Sequence, residues 1–181
     1  EHDTIGGLGL GGEAPRTRIP LAVNADSMAT WFLAPLARLS ASHDIDFDLH
    51  RDDQNFTARL LESGTVMAAV TSERTPVAGC SVSPLGTLEY RASAEPGYVR
   101  RWFAGGVTAE ALAAAPFVDF DRRDTLQHEW LRGRGVAPDG IPRHYVPASH
   151  DYAKAVELGL GWGMVPTAQG VDGLVDLGGP V

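Results

Sequence analysis

Leu21-Ala22-Val23-Asn24-Ala25-Asp26-Ser27-Met28-Ala29-Thr30-Trp31-Phe32-Leu33 decides how this chain is read. The apolar run from Ile19 to Val23 stops abruptly at small polar residues, and apolar residues then recur at helical spacing. That order spells a strand, a tight turn and a helix N-terminus. The backbone N–H groups of such a turn lack intrahelical acceptors, so they can hold an anion or a carboxylate. Asp26 and Ser27 are also good N-cap residues, and local physics alone favours that plainer role.

Outward from this turn, Met28, Trp31, Phe32, Leu36 and Leu39 continue one helical face. Pro35 either kinks the helix or marks the first turn of its more regular part. Ile45-Asp46-Phe47-Asp48-Leu49 alternates apolar and acidic residues, as a half-exposed strand does. Asp53 is a candidate N-cap for a short helix carrying Phe56, Leu60 and Leu61, ended by Gly64. Val66–Val70 is a continuous apolar run, expected to be a strand buried on both faces. A β-α-β-α-β order implies parallel strands with right-handed crossovers. Val77–Val82 reads as a further strand, with Cys80 as a buried, inert thiol within it.

The second half repeats the alternation. Leu88–Ser93 reads as a strand leading elsewhere, and helical signals follow at Tyr98–Phe103 and Ala109–Ala114. Phe117–Phe120 and His144–Val146 read as strands; Leu126–Arg132 and Tyr152–Leu158 read as helices. Met164-Val165 and Leu174–Leu177 close the series. The fold class expected is α/β, as two α/β lobes with a cleft between them. The expected division is a flexible linker over 1–17, lobe I over 18–88 plus 164–181, and lobe II over 89–163. Ligands in such sheets bind beyond the carboxyl ends of the strands, which here face each other across the cleft.

Composition narrows the function. The chain has 181 residues, with 15 basic and 23 acidic side chains and a net charge of −8. That is a poor footprint for gripping nucleic acid directly. One cysteine excludes an internal disulfide and a cysteine-based zinc site. No run approaches the roughly 20 apolar residues of a membrane span, and the reading is cytoplasmic. The histidines show no two-ligand helical spacing, and no nucleophile elbow, phosphate loop or dinucleotide fingerprint is present. No catalytic residue, metal or cofactor is therefore assigned.

Three segments carry a family resemblance. Asn24–Leu33 resembles the effector-sensing domain of LysR-type transcriptional regulators, most closely the lysine/arginine-responsive branch called LysG or ArgP. Leu60-Leu61-Glu62-Ser63-Gly64-Thr65-Val66-Met67-Ala68-Ala69-Val70 is similar to the wider pattern of two leucines, a glycine and a strand. Met67 stands where that pattern usually has an aspartate. Ala155–Pro166 resembles the family's glycine-x-glycine segment and terminal proline; Phe120–Asp124 and Val146–Ser149 also look like this branch. The resemblance implies a fold like the type 2 periplasmic binding proteins. It implies L-lysine or another basic amino acid, arginine or histidine, as effector, and control of amino-acid export or metabolism. It implies a homodimer, with a tetramer as the larger option, and DNA binding only through a winged helix-turn-helix lying before Glu1. One more strand and a helix would lie beyond Val181.

Within that frame, Ser27 and Thr30 are expected to meet the effector's carboxylate, with Asp26 and Trp31 on the same wall. Thr71, Ser72 and Glu73 follow the Val66–Val70 strand to the same edge. Ser72 could bind the α-ammonium or the carboxylate, and Glu73 a cation. Asp121 is expected to take the side-chain cation or to pair with Arg122 or Arg123. Ser149 either caps its helix or donates to the carboxylate across the cleft. Trp31 and Trp162 could stack on a cation, worth roughly 0.5–2 kcal/mol, or lie in the core. A solute-binding protein of an amino-acid transporter is the alternative function, and an enzyme on a related two-lobed fold the third.

Overall fold

The computed structural model describes residues 16–51, 59–72 and 74–180. Residues 1–15 of the expected 1–17 linker, the Asp53 cap with Phe56, and Glu73 lie outside the described residues, while Thr17 already belongs to the first strand.

The first sheet has the order β2-β1-β3, all parallel, with β1 Thr17–Val23, β2 Ile45–Arg51 and β3 Ala68–Val70. The helical segment between β1 and β2, here α1, has three parts: Ala25–Ser27, a π-helical stretch Met28–Phe32, and a regular helix Leu33–Ser42. Pro35 falls in the first turn of that regular helix, where its missing N–H costs least. The alternation of β2 turns Phe47 and Leu49 onto a small core made by Val23, Phe32 and Leu36.

Two expectations about this lobe are corrected. β3 is not buried on both faces: Met67 is 70% exposed and Ala68 is exposed, and among the described residues β3 pairs with β1 alone. Val77–Val82 forms no strand, and Cys80 is exposed. An apolar run alone does not supply hydrogen-bonding partners, and no described strand offers that segment a ladder.

The second sheet is antiparallel. β4 Tyr90–Ala94 lies between β7 Gly163–Pro166 and β8 Val175–Pro180 and is antiparallel to both. β5 Phe117–Asp119 and β6 Arg143–Tyr145 are parallel neighbours, and a bridge between Phe117 and Trp162 joins them to the β7 side. The helices are α2 Pro96–Trp102, α3 Ala109–Ala114, α4 Leu126–Arg132 and α5 Ser149–Glu157. Both strands within 164–181, the stretch expected to return to lobe I, hydrogen-bond to β4. Strand pairing is a long-range choice that local patterning does not encode.

The core of this half centres on three aromatic rings. Phe117 stacks on Trp162 with centroids 5.4 Å apart, and Trp130 lies 5.0 Å from Trp162. Gly161 and Gly163 flank that tryptophan for a steric reason. A Cβ on Gly161 would lie 3.0 Å from the Phe117 backbone, so glycine lets this segment approach β5 without displacing its backbone.

Candidate functional site

The turn after β1 is built by Asn24. Its side chain accepts a 2.8 Å hydrogen bond from the Ser27 N–H, which makes it the N-cap. The plainer of the two roles read in the sequence was capping by Asp26 or Ser27. The cap lies one position earlier than Ala25, so both fall inside the helix, and Ser27 is buried. Relieved of capping, the Asp26 carboxylate reaches tertiary partners.

Those partners come from the other half of the chain. The Tyr90 hydroxyl, at the start of β4, donates to Asp26 Oδ2 at 2.5 Å. The Ser149 hydroxyl, at the first residue of α5, donates to Asp26 Oδ1 at 2.5 Å. Ser149 does not cap its own helix, because the N-cap position is Ala148. Burial, with the neighbouring Asp26 charge, pushes the Tyr90 phenol upward, so it remains a protonated donor. One carboxylate thus ties the first lobe to two elements of the second.

A neighbouring amide belongs to the same cluster. Gln169, in the 3₁₀ turn Thr167–Gln169, donates from Nε2 to the Ser149 carbonyl at 3.0 Å. Its Oε1 is buried without a hydrogen-bond partner. The turn packs against the π-helical stretch Met28–Phe32.

The remaining predicted residues sort by geometry. Thr30 directs its hydroxyl to the Asp26 carbonyl at 2.6 Å, so it serves its own helix. Trp31 is 36% exposed and meets Phe32 edge-on. Thr71 and Ser72 follow β3 at the carboxyl edge of the first sheet, with Ser72 exposed. Trp162 is wholly buried beside Phe117 and Trp130 and cannot wall a cleft, a correction to its expected place. Its burial follows from the Phe117 bridge, which no sequence spacing announces.

Asp121 follows β5. Its carboxylate accepts from the Arg123 N–H and from Arg123 Nη2, both at 2.7 Å, and from the Asp124 N–H at 3.2 Å. Of the two roles expected for it, the local pair with arginine is the one formed. Beside it lies a shallow recess of about 230 Å³, lined by Phe120, Asp121, Arg122, Tyr145 and Pro147. The Arg122 guanidinium sits 4.8 Å from the Tyr145 ring centroid, so that ring already carries a cation.

Beneath the recess, Asp119 ends β5 with a side chain only 1% exposed. Its Oδ2 lies 3.1 Å from His128 Nε2 and 3.5 Å from Arg143 Nη1, while Oδ1 has no partner. Burial pushes this carboxyl above the ordinary aspartate range, and His128 and Arg143 only partly offset it. Among the described residues, no group of three or more His, Cys, Asp or Glu side chains is placed to hold a metal ion. Among them too, no helix is long and apolar enough to cross a membrane.

Tyr90, Gln169, Tyr145 and Arg122 were absent from the sequence-derived set. No motif marks Tyr90, Gln169 or Tyr145, which the packing of distant elements brings to this place, whereas Arg122 stands beside Asp121 in the Phe120–Asp124 segment.

Comparison with known proteins fits this geometry. The family model of the LysR substrate binding domain matches residues 12–174. The regulator LysG of Mycobacterium tuberculosis is 41% identical over 176 residues, covering 97% of this chain and 57% of that protein. The regulator ArgP of Aeromonas salmonicida is 40% identical over 153 residues, 84% of this chain and 51% of that protein. Both are named as HTH-type transcriptional regulators. The structure of full-length LysG from Corynebacterium glutamicum with bound effector Arg superposes with a TM-score of 0.80 at 31% identity. That match covers 95% of this chain and 60% of the other. The chain therefore spans a little over half the length of the curated relatives it matches. The transporter alternative finds no support among them. With its two α/β lobes joined through Asp26, and a family model matched over most of its length, this chain belongs to the LysR substrate-binding domain family.

Proposed function

We propose that this chain is the effector-sensing part of a cytoplasmic LysR-type transcriptional regulator of the LysG/ArgP kind. Its effector is a basic amino acid, L-lysine, arginine or histidine, and it controls amino-acid export or metabolism. The observation that carries this reading is the Asp26 carboxylate, held by hydroxyls of Tyr90 and Ser149 where the two halves meet. The arginine bound in the Corynebacterium relative supports the ligand class.

The lobes are 18–88 plus 164–181 with the Asn24–Trp31 wall, and 89–163 with the Asp121 and Ser149 wall. Asp26, Trp31, Thr71, Ser72, Asp121 and Ser149 face the bound amino acid. An effector acts by binding the closed and open lobe arrangements with different affinity. Through a homodimer this difference alters how the DNA-reading domains are presented. DNA contact belongs to a winged helix-turn-helix outside this sequence. An acidic domain of net charge −8 suits a cationic ligand better than nucleic acid. The domain performs no chemistry on its ligand and needs no cofactor.

Isothermal titration with the protein amino acids tests this. Heat with lysine, arginine or histidine, and none with the neutral and acidic amino acids, is expected. Absence of heat with all three basic amino acids refutes it.

A further inference from the structure

Asp119, His128 and Arg143 come together from β5, α4 and β6. The Asp119 side chain is 1% exposed, and its Oδ1 has no hydrogen-bond partner among the described residues. Its Oδ2 and the Arg143 Nη1 both lie 3.1 Å from one atom, His128 Nε2. Arg143 is held in place. Its Nη2 donates to the Pro138 carbonyl, its Nε donates to the Ile141 carbonyl at 3.3 Å, and its guanidinium lies over the Phe117 ring.

A ring nitrogen cannot accept from a guanidinium and donate to a carboxylate at once. If Nε2 accepts from Arg143, Asp119 must be a neutral carboxyl and the imidazole proton sits on Nδ1. If Nε2 donates to Asp119, it serves an ionised carboxylate, and Arg143 keeps only its 3.5 Å approach to Oδ2. Loss of one proton from the carboxyl to solvent, with a change of imidazole tautomer, converts the first state into the second. The three groups then pass from one net positive charge to none, and they titrate as a unit. Burial favours the neutral carboxyl, and the nearby charge of Asp124, in the segment before α4, opposes ionisation further. The Tyr152 phenol on α5 is the other titratable group that feels this carboxylate.

The cluster lies behind the second-lobe wall. Asp119 directly precedes Phe120 and Asp121, and its carbonyl accepts from the Val146 N–H at 3.0 Å, between Tyr145 and Pro147. Phe120, Asp121, Tyr145 and Pro147 all line the recess. A positive charge behind this wall repels a cation in front of it. We propose that Asp119, His128 and Arg143 form a proton-operated switch, which weakens binding of a cationic effector at low pH and gives up a proton when that effector binds. The two effects are one coupling seen from either side. The proposal rests on the effector's cation meeting this wall, as set out under Proposed function. None of the three side chains touches the ligand; they act on it through their charge.

Calorimetry on the full chain with L-arginine, from about pH 5 to about pH 7.5, tests it; the ligand's guanidinium stays charged throughout. Wild type should bind about two- to fifteenfold more tightly at the upper end, the effect of one unit charge roughly 10 Å away at an effective dielectric constant of about 20–80. Titrations at mid-transition in buffers of different ionisation heat should show proton release on binding. Asp119→Asn/His128→Gln removes both titrating groups, so it should bind equally well across the range and release no proton. Asp26 and Asp121 remain in that variant, so a pH dependence of their making would survive in it. Should the double variant fail to fold, His128→Gln carries the test by moving the transition to another pH. The proposal is overturned if wild-type affinity is flat across the range. It is also overturned if the variant that folds keeps the wild-type profile, even at lower affinity, because the cluster is then only structural. If wild type binds neither arginine, lysine nor histidine at any pH, the amino-acid reading itself falls, and this proposal with it.

Discussion

Replacing Gly163 by alanine should damage the second lobe through one hydroxyl. The Gly163 backbone is compatible with any residue, since its φ is not positive. The obstacle is space. An added Cβ would stand 2.5 Å from the Tyr152 hydroxyl oxygen and 2.9 Å from Val156 Cγ2. Ordinary contact is about 3.5 Å, so the hydroxyl must retreat by roughly 1 Å. That hydroxyl has no slack. It donates to the Val118 carbonyl at 2.9 Å and accepts from Gln127 Nε2 at 2.6 Å and the Met164 N–H at 2.8 Å. Stretching three buried bonds at about 1 kcal/mol each, with an overpacking strain of about 1–3 kcal/mol, predicts a loss of about 4–6 kcal/mol.

Tyr152→Phe should cost less, about 1–3 kcal/mol, because Gln127 keeps its 3.0 Å bond to the Val118 carbonyl. The double variant Gly163→Ala/Tyr152→Phe lacks the clashing oxygen. It should be more stable than the sum of the single effects predicts, by about 1–2 kcal/mol. Urea denaturation reads all three. With a slope of about 2 kcal/mol per molar, Gly163→Ala should lower the midpoint by about 2–3 M. A midpoint within about 0.3 M of wild type, or strict additivity in the double variant, would show that the hydroxyl is not the obstacle.

Three further outcomes follow from other parts of the molecule. Asn24→Ala should destabilise by about 1 kcal/mol in the same assay, since it removes the cap of α1; no change would return the cap to Asp26 or Ser27. Asp119 has a raised carboxyl pKa in the folded state, so the folded form holds its proton longer than the unfolded chain. Its contribution is fully present below the ordinary aspartate pKa and is lost as pH rises through the raised value. Asp119→Asn should therefore flatten that acid-side slope of stability against pH, and a slope identical to wild type would contradict the burial argument. Cys80 is exposed and outside any strand, so a thiol reagent should label it in the native protein without denaturant; labelling only after unfolding would restore the buried thiol.

Much of the fold was legible because local patterns are strong in it. The β1 turn, the alternation of β2, the Leu126–Arg132 helix ended by Gly133 and the α5 helix follow from side-chain periodicity and turn residues. The Val77–Val82 segment misled because hydrophobicity states a wish for burial, not a partner. The cap misled because Asn24, Asp26 and Ser27 all suit it chemically and differ only in backbone conformation.

The sequence by itself determined the α/β alternation, the turn after β1, the absence of a cysteine framework and the family resemblance, because each rests on neighbouring residues. Tertiary structure alone decided that β7 and β8 flank β4, that Trp162 is core, and that Asp26 meets Tyr90 and Ser149. Asp26 and Ser149 are 123 positions apart, and no period or spacing reports on a contact that far away. Only the packing of one lobe against the other gives the acid its partners, and so makes the turn after β1 more than a helix start.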